Sequence, residues 1–436
     1  MGFFDKFQQT LEKFMGPFAN AVSTNKFIRA LTAGFMASMP ITLGTAVIAV
    51  LGNLPIPVWQ NFLNSTGLYQ TAQDFISLTL SLLGIYVVIT ISYNLTKNEG
   101  KNAIVGSVIS LATFVALMPI KSAEVDGVMS STLLTTNMGS NGIFVAMFIG
   151  LLIPWIYCKL MDKNLVLKLP DSVPPMVTES LAPTFVAMIM FTVIFLIKWG
   201  LSLTVYGDIF NFVTQIISKP VMYFGASPWS LVLIYCFMNL CWFFGIHPSP
   251  ILSCYIPVLM AAGTANTEAF LAGNPLPYLT FSIVGTAVYV GGNGNTLGLC
   301  IATLFAKSER YKSMRKLIIP ANIFNINEPI IFGFPTMLNP LYFIPMVFTS
   351  LVSGGVAIFL VKILPISLNP TISLPWVTPG FVSTIMSGGL NLFLIWLISI
   401  TIHFIMYLPF FKIDDANAYK EEQLLAKEAI KEKELV

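Results

Sequence analysis

The stretch Leu317–Thr336, LIIPANIFNINEPIIFGFPT, is as apolar as a membrane span but contains groups that a regular span does not tolerate. Asn325, Asn327 and Glu328 lie in its middle, with prolines around them. A carboxylate at the bilayer centre costs about 2.5–3.5 kcal/mol on insertion scales unless it faces a protein cavity, and proline stops a regular helix. The stretch therefore predicts broken or re-entrant backbone that lines a polar cavity, as in membrane transporters. The alternative is a cytoplasmic loop in which Glu328 is simply solvated.

The composition of the chain is that of a polytopic membrane protein. Of its 436 residues, 56% are hydrophobic and only 10% are charged, whereas a soluble domain carries about 25% charged residues. The net charge of +3 is too small to suggest a nucleic-acid partner. Two histidines and scattered carboxylates leave little room for a metal centre or a hydrolytic pair, so neither a metal nor a cofactor is expected.

Apolar runs near the length that a bilayer needs predict an all-α polytopic membrane protein with about ten transmembrane helices and re-entrant hairpins. Residues 1–22 place phenylalanines at helical spacing opposite charged residues, which predicts an amphipathic helix in the membrane interface. The first five predicted spans are Phe27–Leu51, Phe75–Leu95, Ala103–Ile120, Gly142–Leu160 and Leu181–Val205. The later ones are Pro228–Ile246, a short Ile251–Gly263, an interrupted Thr280–Phe305, Pro340–Leu364 and Gly389–Phe411.

Basic residues in the loops set the predicted orientation. Lysines and arginines precede the first span and follow the second and the fourth, whereas the intervening loops hold only Lys121. Both termini are therefore expected in the cytoplasm. We expect an amphipathic helix, a first membrane domain, a linker, a second membrane domain and a charged tail, at residues 1–22, 23–205, 206–226, 227–411 and 412–436.

A second candidate motif is Asn239–Pro250, NLCWFFGIHPSP, in which glycine and proline surround His247. A histidine at a helix break inside the membrane is a functional candidate, because its ring donates and accepts hydrogen bonds. The alternative is a loop histidine that caps a helix end. His403 lies within a regular apolar span, where we expect a hydrogen-bonded packing role.

The third motif is Gly291–Asn295, GGNGN. Its spacing does not match a dinucleotide fingerprint, and no βαβ context surrounds it. We expect it to break a helix and to offer backbone amides and the side chains of Asn293 and Asn295 to a ligand. A plain flexible kink is the alternative.

Aromatic residues accompany these motifs. Trp242 lies five residues before His247, and Trp376 lies in the proline-rich connection Pro365–Pro379. A tryptophan ring suits the apolar face of a sugar, although either tryptophan alone is equally typical of an interfacial anchor. With Asn327 and Glu328, the cluster suits a neutral, hydroxyl-rich ligand.

At these residues the chain resembles the membrane-spanning IIC components of the bacterial sugar phosphotransferase system, in the lactose/cellobiose/diacetylchitobiose branch. The resemblance runs from the Phe-rich N-terminus through GIHPSP and NINEP to the charged tail. It implies a permease of the bacterial cytoplasmic membrane, in which the first five helices form a dimerising scaffold. The last five helices would carry the sugar by an elevator movement. A β-linked disaccharide such as cellobiose or diacetylchitobiose is the expected substrate.

The resemblance also implies site residues. His247 and Glu328 would be the catalytic pair and would bind the sugar near its C6 hydroxyl, with Asn327 and Trp242 in the pocket. The further substrate-binding candidates are Asn239, Gly291, Asn293 and Trp376. The phosphoryl group would come from a phosphocysteine on a separate IIB protein, supplied by IIA, because the chain ends soon after its last span. Glu328 would accept the proton of the hydroxyl.

A proton- or sodium-coupled sugar symporter with Glu328 as its coupling residue is the competing function. The sequence offers one clear intramembrane carboxylate and no second partner for a proton relay. A membrane hydrolase is excluded, since the sequence has neither HExxH nor a buried acid pair.

Overall fold

The computed structural model describes residues 17, 21, 24–52, 56–125, 128–139, 142–163, 165, 181–334 and 336–434. Apart from Pro17 and Ala21, the predicted amphipathic helix at residues 1–22 lies outside the described residues. Within them, the chain is mostly helical and carries one short hairpin of two strands.

Helices of unequal length build the first half of the chain. They are α1 (Lys26–Gly52), α2 (Pro57–Ser65), α3 (Leu68–Leu80), α4 (Leu83–Asn98), α5 (Ala103–Leu117), α6 (Thr135–Met138), α7 (Ile143–Asp162) and α8 (Thr184–Ser202). Helix α4 is central, and its Ile91 is fully buried. Gly34 of α1 and Gly150 of α7 face Ile91, where an added Cβ would overlap or crowd it. Such small residues let membrane helices approach closely.

The loop after α5 forms an antiparallel hairpin of β1 (Ile120–Val125) and β2 (Val128–Leu133). The all-α prediction did not include it. The segment is too short for another span, and pairing the two strands satisfies backbone groups that an open loop leaves to water.

The second half begins with the predicted linker, which is helical. Helix α9 (Ile209–Val213) continues through a π-helical segment (Thr214–Ser218) into α10 (Lys219–Gly225), and this unit meets the next helix at 70°. The remaining helices are α11 (Pro228–Phe243), α12 (Ser249–Leu271), α13 (Leu279–Val288), α14 (Leu297–Ala302), α15 (Glu309–Ile323), α16 (Glu328–Gly333), α17 (Pro340–Leu360) and α18 (Gly380–Glu434). Helix α18 bends at Gly389, whose φ is +64°.

Among the described residues, five helical units are long and apolar enough to cross a membrane. They are Leu68–Asn98, Ile143–Asp162, Thr184–Ser202, Pro340–Leu360 and the range from Gly380 to Glu428, and the bent unit of α9 to α11 raises the number to six. The total of about ten spans and the re-entrant hairpins therefore stay predictions.

The two interrupted stretches do break where the sequence indicates. The predicted span Thr280–Phe305 divides into α13 and α14 at the glycine–asparagine run, and Leu317–Thr336 divides into α15 and α16 around Asn325. The short segment Ile251–Gly263, in contrast, belongs to the 23-residue α12.

Candidate functional site

Three breaks in the helices lie against one another. The first separates α11 from α12, the second separates α13 from α14, and the third separates α15 from α16. Asn327 of the third break donates its Nδ2–H to the carbonyl of Asn293 in the second. The N–H of Leu338, shortly after α16, donates to the carbonyl of Phe243 at the first break, at 3.0 Å. Stretches far apart in sequence thus form one site.

Buried polar side chains of neighbouring helices hydrogen-bond the backbone of the glycine–asparagine loop, Gly291–Asn295, and hold it in place. Asn239 of α11 is fully buried; its Oδ1 accepts from the N–H of Gly294 at 2.8 Å, and its Nδ2 donates to Ser350 Oγ at 2.9 Å. The hydroxyl of Tyr407 donates to the carbonyl of Gly294 at 2.6 Å. Both polar ends of the Asn239 amide are therefore occupied within the protein.

Asn325 joins the loop to the proline-rich connection. Its Oδ1 accepts from the N–H of Gly291 at 3.0 Å, and its Nδ2 donates to the carbonyl of Trp376 at 2.8 Å. Asn325 has a φ of +62°, which asparagine tolerates better than most residues. The N–H of Gly291 is consequently occupied. Trp376 enters this network through its backbone carbonyl, and the residue as a whole is 54% exposed.

His247 is exposed, and its hydrogen bonds determine which ring nitrogen carries the proton of the neutral form. Its Nδ1 accepts from the backbone N–H of Ser249 at 3.2 Å and lies 2.8 Å from Ser249 Oγ. A backbone N–H can only donate, so Nδ1 carries no proton while this bond is made. The neutral ring therefore carries its proton on Nε2 and offers it as a donor.

Trp242 lies between His247 and α16. Its ring meets the His247 ring edge-on at 4.9 Å between centroids, and the Phe332 ring edge-on at 6.0 Å. Phe332 follows Glu328 by four residues on α16, so the two side chains share one helix face. Glu328 is exposed, like His247, whereas Asn327 is only 5% exposed.

Two buried polar atoms at this site lack a partner within the described part of the chain: Trp242 Nε1 and Asn293 Oδ1. The first is a donor and the second is an acceptor. A buried polar group without a hydrogen bond costs about 1–3 kcal/mol. A ligand hydroxyl, which both donates and accepts, is suited to satisfy them.

The structure thus brings together five of the predicted residues, which are Trp242, His247, Asn293, Asn327 and Glu328. Asn239 and Gly291 lie beside them, but their hydrogen-bonding groups are engaged by the protein. Sequence reasoning missed Ser350 and Tyr407, which fix the loop from apolar spans that carry no motif. Each of these spans holds several hydroxyl residues, and nothing in the sequence singles out these two.

His403 of α18 is fully buried, and neither ring nitrogen has a hydrogen-bond partner among the described residues. The predicted hydrogen bond is therefore not found there, although the histidine does lie in tight packing. A Cβ on Gly298 of α14 would lie 2.6 Å from the His403 carbonyl carbon. Within the described chain, no group of three or more His, Cys, Asp or Glu side chains is placed to hold a metal ion.

Residues 32–350 match the family model of the phosphotransferase system EIIC proteins. The galactose-specific EIIC component of Lactococcus lactis subsp. cremoris (strain MG1363) is 42% identical, with 96% of this chain and 97% of that protein covered. The lichenan permease IIC component of Bacillus subtilis (strain 168) is 32% identical, with 96% of each covered. A crystal structure of ChbC, the IIC component of the N,N'-diacetylchitobiose-specific phosphotransferase system, has a TM-score of 0.86 at 30% identity and covers 95% of this chain and 99% of that one.

Proposed function

The chain belongs to the EIIC family of the phosphotransferase system, and from this membership we propose a substrate, a site and a reaction. It is a membrane sugar permease that works with IIB and IIA proteins. We propose that it binds a β-linked disaccharide, such as cellobiose or diacetylchitobiose, and presents the C6 hydroxyl to phosphorylated IIB. Relatives named for lichenan and diacetylchitobiose support a β-linked substrate, whereas the relative named for galactose is named for a monosaccharide.

The observation that carries the proposed site is the unpaired donor and acceptor beside two exposed titratable side chains. Trp242 Nε1 and Asn293 Oδ1 lack partners among the described residues, and the His247 and Glu328 side chains are exposed. A sugar ring presents both a C–H face and several hydroxyls, which match an indole edge with polar groups around it. Asn239 and Gly291 then act as positioning residues, since they hold the loop that carries Asn293.

The proposed reaction needs few protein groups. The sugar 6-hydroxyl oxygen forms a bond to phosphorus, the bond between phosphorus and the IIB cysteine sulfur breaks, and its electron pair stays on the thiolate. Glu328 accepts the hydroxyl proton as a general base. The catalytic advantage comes mostly from positioning. Once Glu328 has released this proton to solvent, its carboxylate lies beside the dianionic phosphate of the product, and the repulsion between them favours release of the product into the cytoplasm.

We propose that residues 227–411 carry the sugar as one body in an elevator-like movement against residues 23–205. In support, the site rests on a buried cluster drawn wholly from the second half, including Trp242, Ile330, Tyr342 and Tyr407. Both termini would be cytoplasmic, as the basic loops indicate. A homodimer is proposed as well, because the apolar helix α8 leaves a large face exposed to lipid or to a second copy.

The first prediction concerns Trp242→Phe, which keeps an aromatic ring but removes Nε1–H. Because this donor has no described protein partner, the dissociation constant for sugar should rise about fivefold, from the loss of one hydrogen bond of ~1 kcal/mol. Isothermal titration with purified protein measures it. Trp229→Phe, at the exposed start of the same helix, is the matched control and should bind normally. Equal affinities of all three proteins would remove Nε1 from the site.

The second prediction concerns His247→Ala, which should weaken sugar binding about fivefold to tenfold by removing the Nε2 donor. His247→Gln keeps an N–H donor at similar reach and should recover part of the affinity. The same titration compares the three proteins. Unchanged affinity in His247→Ala would reduce His247 to a residue that ends a helix.

A further inference from the structure

Helix α15 exposes one continuous face. Arg310, Ser313, Lys316, Leu317 and Pro320 recur along it at helical spacing, and all five are exposed. The opposite face is buried at Tyr311, Ile318 and Asn322. We call the exposed side from Arg310 to Pro320 the α15 face. It begins with cations and ends with apolar groups.

Carboxylates of α18 hold the start of α15 in place. Asp415 accepts hydrogen bonds from the backbone N–H groups of Lys307 and Ser308, at 2.7 and 3.0 Å. Glu422 accepts from the next two backbone N–H groups, at 3.0 and 2.8 Å. These acids are thereby engaged as caps of the helix. Among the described residues, neither Arg310 nor Lys316 forms an ion pair.

The α15 face leads directly to the candidate site. Helix α15 ends at Ile323, and Asn325, Asn327 and Glu328 follow at once. The other segments around the site, residues 243–249, 290–296 and 365–379, contain no Asp, Glu, Lys or Arg. Of these four segments, α15 is therefore the one that carries positive charge, with Lys316 about 10 Å and Arg310 about 20 Å along the helix before Ile323.

We propose that the α15 face, through Arg310 and Lys316, is the docking surface for the phosphorylated IIB protein. This inference rests on the proposed function, in which IIB delivers the phosphoryl group. Reacting atoms must approach to about 3–3.5 Å, so the donor protein has to contact the segments that surround the sugar. Its phosphoryl group is anionic, and a cationic edge attracts and orients an anionic partner. Leu317 and Pro320 supply apolar contact between the cations and the site.

The test is the charge-reversal variant Arg310→Glu/Lys316→Glu, assayed for sugar phosphorylation against increasing phospho-IIB at saturating sugar. The KM for phospho-IIB should rise about tenfold or more, with kcat and the sugar dissociation constant within about twofold of wild type. In wild-type protein this KM should rise with salt, and the variant should lose most of that dependence. Lys159→Glu/Lys163→Glu, at the end of α7, is the matched control and should leave the KM unchanged. If the reversal variant does not fold, Arg310→Gln/Lys316→Gln should raise the KM about threefold.

Two results would overturn the proposal. An unchanged KM for phospho-IIB in a folded variant would do so, while wild-type phosphorylation would keep the proposed function intact. With that KM unchanged, activity of the folded variant that falls in phosphatidylglycerol proteoliposomes but not in detergent would show that the α15 face meets anionic lipid instead. Absence of sugar phosphorylation by wild-type protein would overturn the proposed function and the docking surface together.

Discussion

In Glu328→Gln protein, sugar phosphorylation by phospho-IIB should fall by about 10²–10⁴-fold, the usual contribution of a general base. Glutamine has the shape of glutamate and keeps hydrogen bonding to hydroxyls, but it cannot take a proton at neutral pH. Glu328 is exposed, so the change should cost little stability. Sugar titration should therefore give a dissociation constant near that of wild type, and single-turnover rates with phospho-IIB should give the loss.

Glu124→Gln is the matched control, because Glu124 is an exposed carboxylate on β1, outside both the three breaks and the α15 face. It should transfer phosphate at the wild-type rate. Near-normal phosphotransfer in Glu328→Gln would remove Glu328 as the base. Loss of sugar binding in the same variant would show that Glu328 acts mainly in binding the sugar.

Gly292→Ala should lower sugar phosphorylation about 100-fold, because displacing a positioned group by ~1 Å can cost that much. Gly292 has a φ of +87°, and an added Cβ would lie 2.7 Å from Asn327 Cγ and 2.9 Å from the carbonyl oxygen of Asn325. The methyl group must push away the residues that precede Glu328. Rate measurements and sugar titration on folded protein check this expectation.

The control variant Gly273→Ala separates the effect of backbone strain from that of the close contact between Gly292 and Asn327. Gly273 has a similar φ of +70°, but an added Cβ would meet nothing within 4 Å. Both variants carry the cost of an L-residue in left-handed backbone, about 1–2 kcal/mol. The control should therefore lose some thermal stability and keep its activity. Equal losses of activity in the two variants would contradict a site that depends on the contact between Gly292 and Asn327.

The long apolar helices could be predicted from the sequence, because the length of each apolar run and the capping residues at its ends indicate the same boundaries. Pro228–Ile246 corresponds to α11, which Ser227 caps and which ends at Phe243. Helix α12 was predicted too short, because Thr264, Asn266 and Glu268 lower the hydropathy of its second half. Asn266 is nevertheless fully buried and bonds Ser282 Oγ and the N–H of Tyr278. From sequence alone, a polar side chain whose hydrogen-bond partners are remote in the chain cannot be told apart from the end of an apolar helix.

The sequence predicts which segments form the candidate site, but not what each residue does within it. At least two of proline, glycine and asparagine mark each break, so the three stretches could be found from sequence. Asn239 was expected to contact the substrate, but its amide bonds Ser350, 111 residues away. No spacing rule reveals such a pair, because only the packing of α11 against α17 creates it. The unpaired Trp242 Nε1 and Asn293 Oδ1 likewise became recognisable only once their surroundings were known.

The most direct test uses purified protein in proteoliposomes, with radiolabelled cellobiose, diacetylchitobiose, lactose or galactose outside and IIB inside. We predict that one of these sugars appears inside as its 6-phosphate, that this requires phosphorylated IIB, and that ionophores leave it unchanged. Accumulation of free sugar that collapses with the proton or sodium gradient would contradict group translocation by this chain. The chain would then be a symporter with Glu328 as its coupling residue.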